Sequence, residues 1–155
     1  MHETLMQEAI RLSLQMMRRG RGGPFGAVIA RNGEVIGRGW NEVTTSQDPT
    51  AHAEIVAIRE ACRTLKSPHL DGCDIYTSCE PCPMCLGAIY WARLRRLYFA
   101  ATRQDAAAAG FDDELIYQEI CLPVDQRRLP TRQLLRAQAL EALNEWRTKP
   151  DKIPY

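Results

Sequence analysis

Apolar and polar residues alternate along this chain with spacings that predict two kinds of element. Apolar side chains recur three or four positions apart over residues 2–19, 52–65 and 132–146, as expected for helices with one buried face. Four short segments between turn residues predict strands: 25–30, 34–40, 73–78 and 97–101. Because strands alternate with helices, we expect an α/β domain in which the later strands pair in parallel.

Turn residues show how some of these elements connect. Arg31-Asn32-Gly33 separates the first two predicted strands, and Asn-Gly tolerates the positive φ of a hairpin turn. A further helix is predicted over residues 83–92, because Pro83 suits the first turn of a helix, where its missing N–H costs nothing.

Composition indicates a globular domain and argues against several classes of partner. The chain has 155 residues, of which 45% are hydrophobic and 25% charged, as in one domain with a real core. The net charge of +1 predicts no strong field for nucleic acid or for a membrane surface. We see neither a membrane-spanning run nor a signal-peptide pattern, and we expect a soluble, cytoplasmic protein without disulfides.

The strongest chemical signal is a Cys-x-x-Cys pair, Cys82 and Cys85, preceded by Pro81. Positions i and i+3 lie on one face of a helix, so both thiolates can bind one soft cation. The positive end of the helix dipole favours the thiolate form in the first turn. By itself the pair is also typical of a redox site or of half a structural zinc site.

A second segment, His52-Ala53-Glu54, completes the pattern His-x-Glu…Pro-Cys-x-x-Cys, which matches the signature of zinc-dependent nucleobase deaminases. His52, Cys82 and Cys85 would supply three zinc ligands and leave the fourth position for a water molecule. Glu54 lies about 200° round a helix from His52, yet both can reach a metal over the helix N-terminus. Glu54 would then move protons between that water and the leaving amine.

Cys79 leaves one alternative open. Together with the three ligands it would make a closed Cys₃His site that holds zinc for stability only, in a non-enzymatic zinc-stabilised interaction module. We favour the catalytic site, because Cys79 lies at the end of a predicted strand and a closed site gives Glu54 no role.

These motifs identify the chain as a member of the cytidine deaminase-like superfamily, in which it resembles the bacterial zinc-dependent guanine deaminases. Further matching stretches are residues 22–28, Asn41 with Asp48-Pro49-Thr50, residues 109–113 and the terminal Tyr155. The resemblance covers nearly the whole length and implies a single domain, residues 1–155. It also implies a three-layer α/β/α sandwich around a mixed five-stranded sheet, with one zinc ion per subunit.

The activity that the resemblance implies is hydrolytic deamination of guanine to xanthine and ammonia. Four residues would bind this purine base: Asn41, Asp113, Tyr155 and Phe25, the last by stacking. Tyr155 would come from the partner subunit of a homodimer that exchanges its C-terminal helix and tail, about residues 131–155. An acceptor-only carboxylate such as Asp113 suits the N1–H and 2-amino donors of guanine better than it suits adenine.

Other interpretations remain beside this one. The tRNA adenosine deaminases share both zinc motifs, and such an enzyme would need a basic face and a pocket for a flipped base. The near-neutral charge argues against nucleic acid, although Arg93, Arg95 and Arg96 form a local basic cluster. Asp112 or Asp113 would also suit the cap of a helix over residues 114–120, and residues 149–155 would also suit a frayed tail.

Overall fold

The structure is a computed structural model that describes all 155 residues, which form two compact units, Met1–Asp113 and Glu114–Tyr155. The first unit contains α1 (His2–Arg18), β1 (Gly26–Arg31), β2 (Glu34–Trp40), α2 (Val43–Ser46), α3 (Ala53–Leu65), β3 (Cys73–Cys79), α4 (Pro83–Trp91), β4 (Arg96–Ala101) and α5 (Arg103–Ala108). The second contains α6 (Glu114–Ile120), a 3₁₀ turn (Val124–Gln126) and α7 (Arg136–Thr148). That residues 1–155 act as a single domain stays a prediction.

The strands of the first unit form one mixed sheet in the order β2-β1-β3-β4. β1 pairs antiparallel with β2 and with β3, and β3 pairs in parallel with β4. The predicted α/β class, the first hairpin and the parallel pairing of the later strands are therefore confirmed. In the hairpin, Asn32 has a φ of 52° and Gly33 a φ of 86°, as an Asn-Gly turn requires.

The expected fifth strand is wrong, because the sheet has four strands. β4 ends at Ala101, and Thr102 begins α5 at once through a capping box with Asp105. Asp105 donates its N–H to Thr102 Oγ1 at 3.2 Å, and Thr102 donates its N–H to Asp105 Oδ2 at 2.8 Å. The rest of the chain supplies only helical elements and connections.

Helices cover both faces of the sheet, which gives the expected three layers. Successive residues of a strand point to opposite faces. Val28 and Ala30 of β1 belong to the cluster around α1, whereas Ala27 and Ile29 belong to the cluster around α3 and α4. β1 therefore contributes side chains to the core on both faces of the sheet.

Element boundaries differ from the predicted ones mainly where the local backbone conformation sets the end of an element. α7 begins at Arg136 and not at residue 132, after Leu135 adopts a left-handed φ of 53°. The short helices α2 and α5 lack a run of apolar residues long enough to show helical periodicity, and sequence patterns did not predict them.

No helix combines the length and the apolar character needed to cross a membrane.

Candidate active site

The three predicted metal ligands come from the starts of two helices. His52 directly precedes α3 and Cys82 directly precedes α4, both in an extended conformation with ψ of 157° and 168°. Pro83 occupies the first turn of α4, as predicted, and the buried Cys85 follows it. The ligand atoms of His52, Cys82 and Cys85 all lie within 4.8 Å of one another.

The distances within this cluster fit a tetrahedral zinc ion. His52 Nδ1 lies 3.6 Å from Cys82 Sγ and 3.5 Å from Cys85 Sγ. Zn–N and Zn–S bonds of about 2.0 and 2.3 Å at a tetrahedral angle separate the two ligand atoms by about 3.5 Å. An imidazole and two thiolates are also a donor set that zinc prefers. Three protein ligands leave one coordination position for a small molecule.

Cys79 lies outside this cluster, and its thiol has another partner. Cys79 Sγ donates to Thr102 O at 3.5 Å, and burial raises the pKa of this thiol to about 11. The geometry therefore gives no support to the closed four-ligand site that the sequence left open.

Hydrogen bonding within the cluster prepares Cys82 to bind a cation. The Cys85 thiol and the His52 ring both donate to Cys82, and together they lower the pKa of Cys82 to about 4. The hydrogen bond to Cys82 also raises the pKa of His52. Cys82 is therefore the thiolate of the pair, whereas the hydrogen bond between the two cysteines raises the pKa of Cys85, which would release its proton on binding a metal.

Glu54 lies beside the ligands, in the first turn of α3, and is buried. Burial raises the pKa of its carboxyl group, and the negative charge on Cys82 raises it further, whereas His52 lowers it. A carboxyl group with a raised pKa accepts a proton more readily than an ordinary one, which suits it to proton transfer. The structure thus brings together Glu54 and the three predicted ligands.

Asn41 and Phe25 lie at the ends of β2 and β1 and are joined through the backbone. Asn41 donates its N–H to Phe25 O at 3.1 Å. Its side-chain Oδ1 accepts from the N–H groups of Gly23 at 3.2 Å and Val43 at 3.3 Å. Both bonds are made to Oδ1 of the buried Asn41 amide. Its NH₂ group is therefore the part of the side chain that can donate to a ligand.

Phe25 contacts the segment that follows α5, and Asp113 belongs to that segment. The ring of Phe25 meets the ring of Phe111 edge-on, with centroids 4.9 Å apart and an interplanar angle of 87°. Burial raises the pKa of Asp113, and the charge on Cys82 raises it as well, whereas Arg103 lowers it. Asp113 therefore lies close enough to Cys82 to interact with its charge. Sequence patterns did not predict a role for Phe111, because no motif marks an aromatic contact between distant segments.

Tyr155, the remaining predicted site residue, lies at the end of the second unit, where its side chain is exposed. A contact between Tyr155 and a substrate stays a prediction.

Comparison with known proteins gives a consistent assignment. Residues 1–101 match the family described as the cytidine and deoxycytidylate deaminase zinc-binding region. The chain is 51% identical over 154 residues to the guanine deaminase of Bacillus subtilis (strain 168), which covers 99% of both proteins. The X-ray structure of guanine deaminase from Bacillus subtilis superposes with a TM-score of 0.97, covering 100% of this chain and 99% of that one. A tRNA-specific adenosine deaminase of Aquifex aeolicus (strain VF5) is 46% identical over 78 residues, which is 50% of this chain and 52% of that protein.

Proposed function

This chain belongs to the zinc-binding family of cytidine and deoxycytidylate deaminases, and from that premise we propose that it hydrolyses guanine to xanthine and ammonia. The observation that carries the proposal is that its likeness to a guanine deaminase runs through the whole chain. The likeness to tRNA adenosine deaminases covers less of it: 50% of the chain at 46% identity in one relative and 76% at 38% identity in another.

His52, Cys82 and Cys85 would hold one zinc ion per chain. When bound, zinc supplies an activated water molecule at its fourth position. Glu54 would take one proton from the water and pass it to N3 of guanine as the water oxygen bonds to C2, and would then move the second proton of that oxygen to the amine as the C2–N bond breaks. The water oxygen stays on C2 of xanthine, and the amine leaves as ammonia.

Four residues would hold the base: Asn41, Asp113, Tyr155 and Phe25. Phe25, steadied by its contact with Phe111, offers an aromatic surface on which the purine stacks. Asp113 accepts hydrogen bonds through both of its oxygens while it is ionised; burial raises its pKa and opposes that state, whereas the positive charge of Arg103 favours it. A buried polar match of this type separates substrates by roughly 10⁴–10⁵.

We further propose a homodimer that exchanges residues 131–155, so that Tyr155 completes the site of the partner subunit. Support comes from the family resemblance and from a feature of the second unit: none of its residues is buried. We also propose that the chain acts as a single domain, in the cytoplasm, in guanine catabolism.

A product assay tests the proposed reaction. Zinc-loaded protein is incubated with guanine, with cytidine and with tRNA that carries the adenosine substrate, and both xanthine and ammonia are measured. We expect equal amounts of xanthine and ammonia from guanine and no turnover of the other two. Turnover of the tRNA without turnover of guanine would instead establish the tRNA deaminase.

A further inference from the structure

Glu80 joins the loop that leads to Cys82 to the start of α5. Its backbone N–H donates to Ala101 O at 2.8 Å, and its side-chain Oε2 accepts from the Arg103 N–H at 3.0 Å. Arg103 is the first residue of α5, and the first N–H groups of a helix have no partner within the helix. A carboxylate at this end also interacts favourably with the helix dipole. Glu80 therefore caps α5 from a distant part of the sequence.

α5 carries this constraint forward to Phe111, because its C-terminal end is closed by a Schellman motif. Gly110 donates its N–H to Ala107 O at 3.0 Å, and Phe111 donates its N–H to Ala106 O at 2.9 Å. Gly110 has a φ of +94°, the left-handed conformation that this motif requires. Phe111 is thus fixed to α5, and the position of the helix sets the position of the Phe111 ring.

The segment ends with Phe111 and Asp113, which connect it to the proposed substrate site. The Phe111 ring supports Phe25 at a centroid distance of 4.9 Å, and Asp113 follows two residues later. The side chain of Glu80 is not a member of the ligand cluster. The Glu80 side chain contacts α5 by accepting a hydrogen bond from the Arg103 N–H.

We propose that Glu80 is a positioning residue for substrate recognition, which sets the place of Phe111 and Asp113 relative to the metal ligand Cys82. Without the carboxylate, the Arg103 N–H loses its acceptor and α5 is free to shift against the loop that carries Cys82. A small displacement of a bound substrate from the attacking group costs a large part of the rate. The inference rests on the proposed guanine deamination, in which Asp113 recognises the base.

Two variants separate this role from a general structural one. Glu80→Ala removes the acceptor, whereas Glu80→Gln keeps a side-chain oxygen that can accept from the Arg103 N–H. We expect Glu80→Ala to raise KM for guanine about tenfold, the effect of one lost hydrogen bond to a charged group, with zinc content unchanged. Glu80→Gln should return KM to within about threefold of the parent. Glu34→Ala, in the exposed part of β2, controls for the loss of one negative charge.

Hydrogen exchange gives a readout that does not depend on turnover. In zinc-loaded Glu80→Ala, the amides of residues 102–111 should exchange faster than in the parent protein, and Glu80→Gln should restore slow exchange. Unchanged KM and unchanged exchange in Glu80→Ala would overturn the proposal, as would a loss of zinc in proportion to the loss of activity. If the parent protein does not turn over guanine, the proposed function fails, and the exchange rates still decide whether Glu80 holds α5.

Discussion

His52 and Cys82 occupy positions where a side chain ordinarily stabilises the helix that follows it. Each is the residue before a helix, and neither side chain makes a capping hydrogen bond. Ser, Thr, Asp or Asn at such a position is worth roughly 0.5–2 kcal/mol. Both side chains lie in the ligand cluster instead. The two helices therefore lack a side-chain cap at their N-termini. Metal binding offsets this loss because it stabilises the folded chain.

Glu54→Gln tests the proton-transfer step. The amide has the shape of the carboxyl group but cannot carry the proton, so we expect kcat for guanine to fall by roughly 10²–10⁴. Zinc content should be unchanged, because Glu54 is not among the clustered ligands. Xanthine formation and metal analysis on the same sample measure both quantities. Glu60→Gln, also on α3, is the matched control, and a Glu54→Gln protein with most of its rate would refute the assigned role.

The residues of the metal centre were predictable, whereas the residues that support it were not. Zinc chemistry restricts His52, Cys82 and Cys85 to a few residue types at fixed spacing, and that pattern is visible in the sequence alone. Glu80 and Phe111 act through contacts with segments that are distant in sequence. Phe111 lies in the matching stretch 109–113, but no sequence pattern predicts its aromatic contact with Phe25 or the bond from Glu80 to α5.

Among the elements, the close approach of α3 to β2 sets where the metal centre lies. A Cβ on Gly37 would lie 2.6 Å from Ala57 O, and a Cβ on Gly39 would collide with the backbone of Ala53 and Ala57. Ala53 lies between the ligand His52 and the carboxyl-bearing Glu54. Because these two positions carry no side chain, the start of α3 can lie directly against β2.

Gly39→Ala should weaken zinc binding. The added methyl group forces the first turn of α3 to move, at a cost of about 1–3 kcal/mol, and the movement displaces His52 from the two cysteines. We expect zinc affinity to fall about tenfold or more, measured by competition with a chelator.

Gly37→Ala is the matched control, because its new Cβ meets α3 at Ala57 and Ala61, further along the helix. It should lower the melting temperature as Gly39→Ala does and affect zinc affinity less. Equal zinc affinities in the two variants would contradict this role for Gly39.

The helices α1 and α3, which bury an apolar face, were predicted more closely than α5, for a physical reason. The helix at residues 52–65 buries one face, and its apolar spacing shows it. α5 has no buried residues; its ends are set by the Thr102–Asp105 capping box and by hydrogen bonds to Gly110 and Phe111. The expected fifth strand was wrong, because the family resemblance and not a residue pattern had suggested it.

At the scale of the whole molecule, one ion pair links the sheet to the connection before β4. Asp74 of β3 is buried, and Arg95 donates to both of its oxygens at 2.9 and 2.8 Å. The hydrogen bonds from Arg95 hold the pKa of Asp74 below its usual value. Arg95 is therefore engaged within the fold, which weakens the case for the Arg93–Arg96 cluster as an RNA-binding face.

Arg95→Gln should destabilise the protein at neutral pH and less so in acid. Because the pKa of Asp74 is lowered in the folded state, its contribution is complete above the ordinary Asp pKa of about 3.9 and is lost as the pH falls through the lowered value. At pH about 7 we expect a lower urea midpoint than in the parent, and a smaller effect than a fully buried pair would give, because Arg95 is half-exposed.

Urea unfolding at neutral pH and near pH 3 measures the stability difference between Arg95→Gln and the parent. Both proteins carry the same metal site, so its effect on stability cancels in that difference. Arg63→Gln, in the last turn of α3, controls for the loss of a surface charge. A difference that does not shrink in acid would show that packing of the Arg95 side chain, and not its charge, stabilises the fold.

The second unit raises the question of what covers its apolar side chains. None of its residues is buried, and several large apolar ones are more than half exposed: Leu129, Leu134, Leu135, Leu143 and Ile153. A segment of this size with no buried residue has no hydrophobic core of its own. Burial in a homodimer would supply one, which agrees with the proposed exchange of residues 131–155.

Deletion of residues 149–155 should lower guanine turnover by more than tenfold and leave zinc in place, because it removes Tyr155 and none of the ligands. Asp113→Ala should do the same by removing the proposed base contact. If the tail serves the neighbouring subunit, a mixed dimer of the two variants holds one complete site. Refolding them together in equal amounts then gives about a quarter of the parental sites, half of the dimers being mixed. Activity that stays at the level of the separate variants means that each tail serves its own chain, because no combination of the two then completes a site.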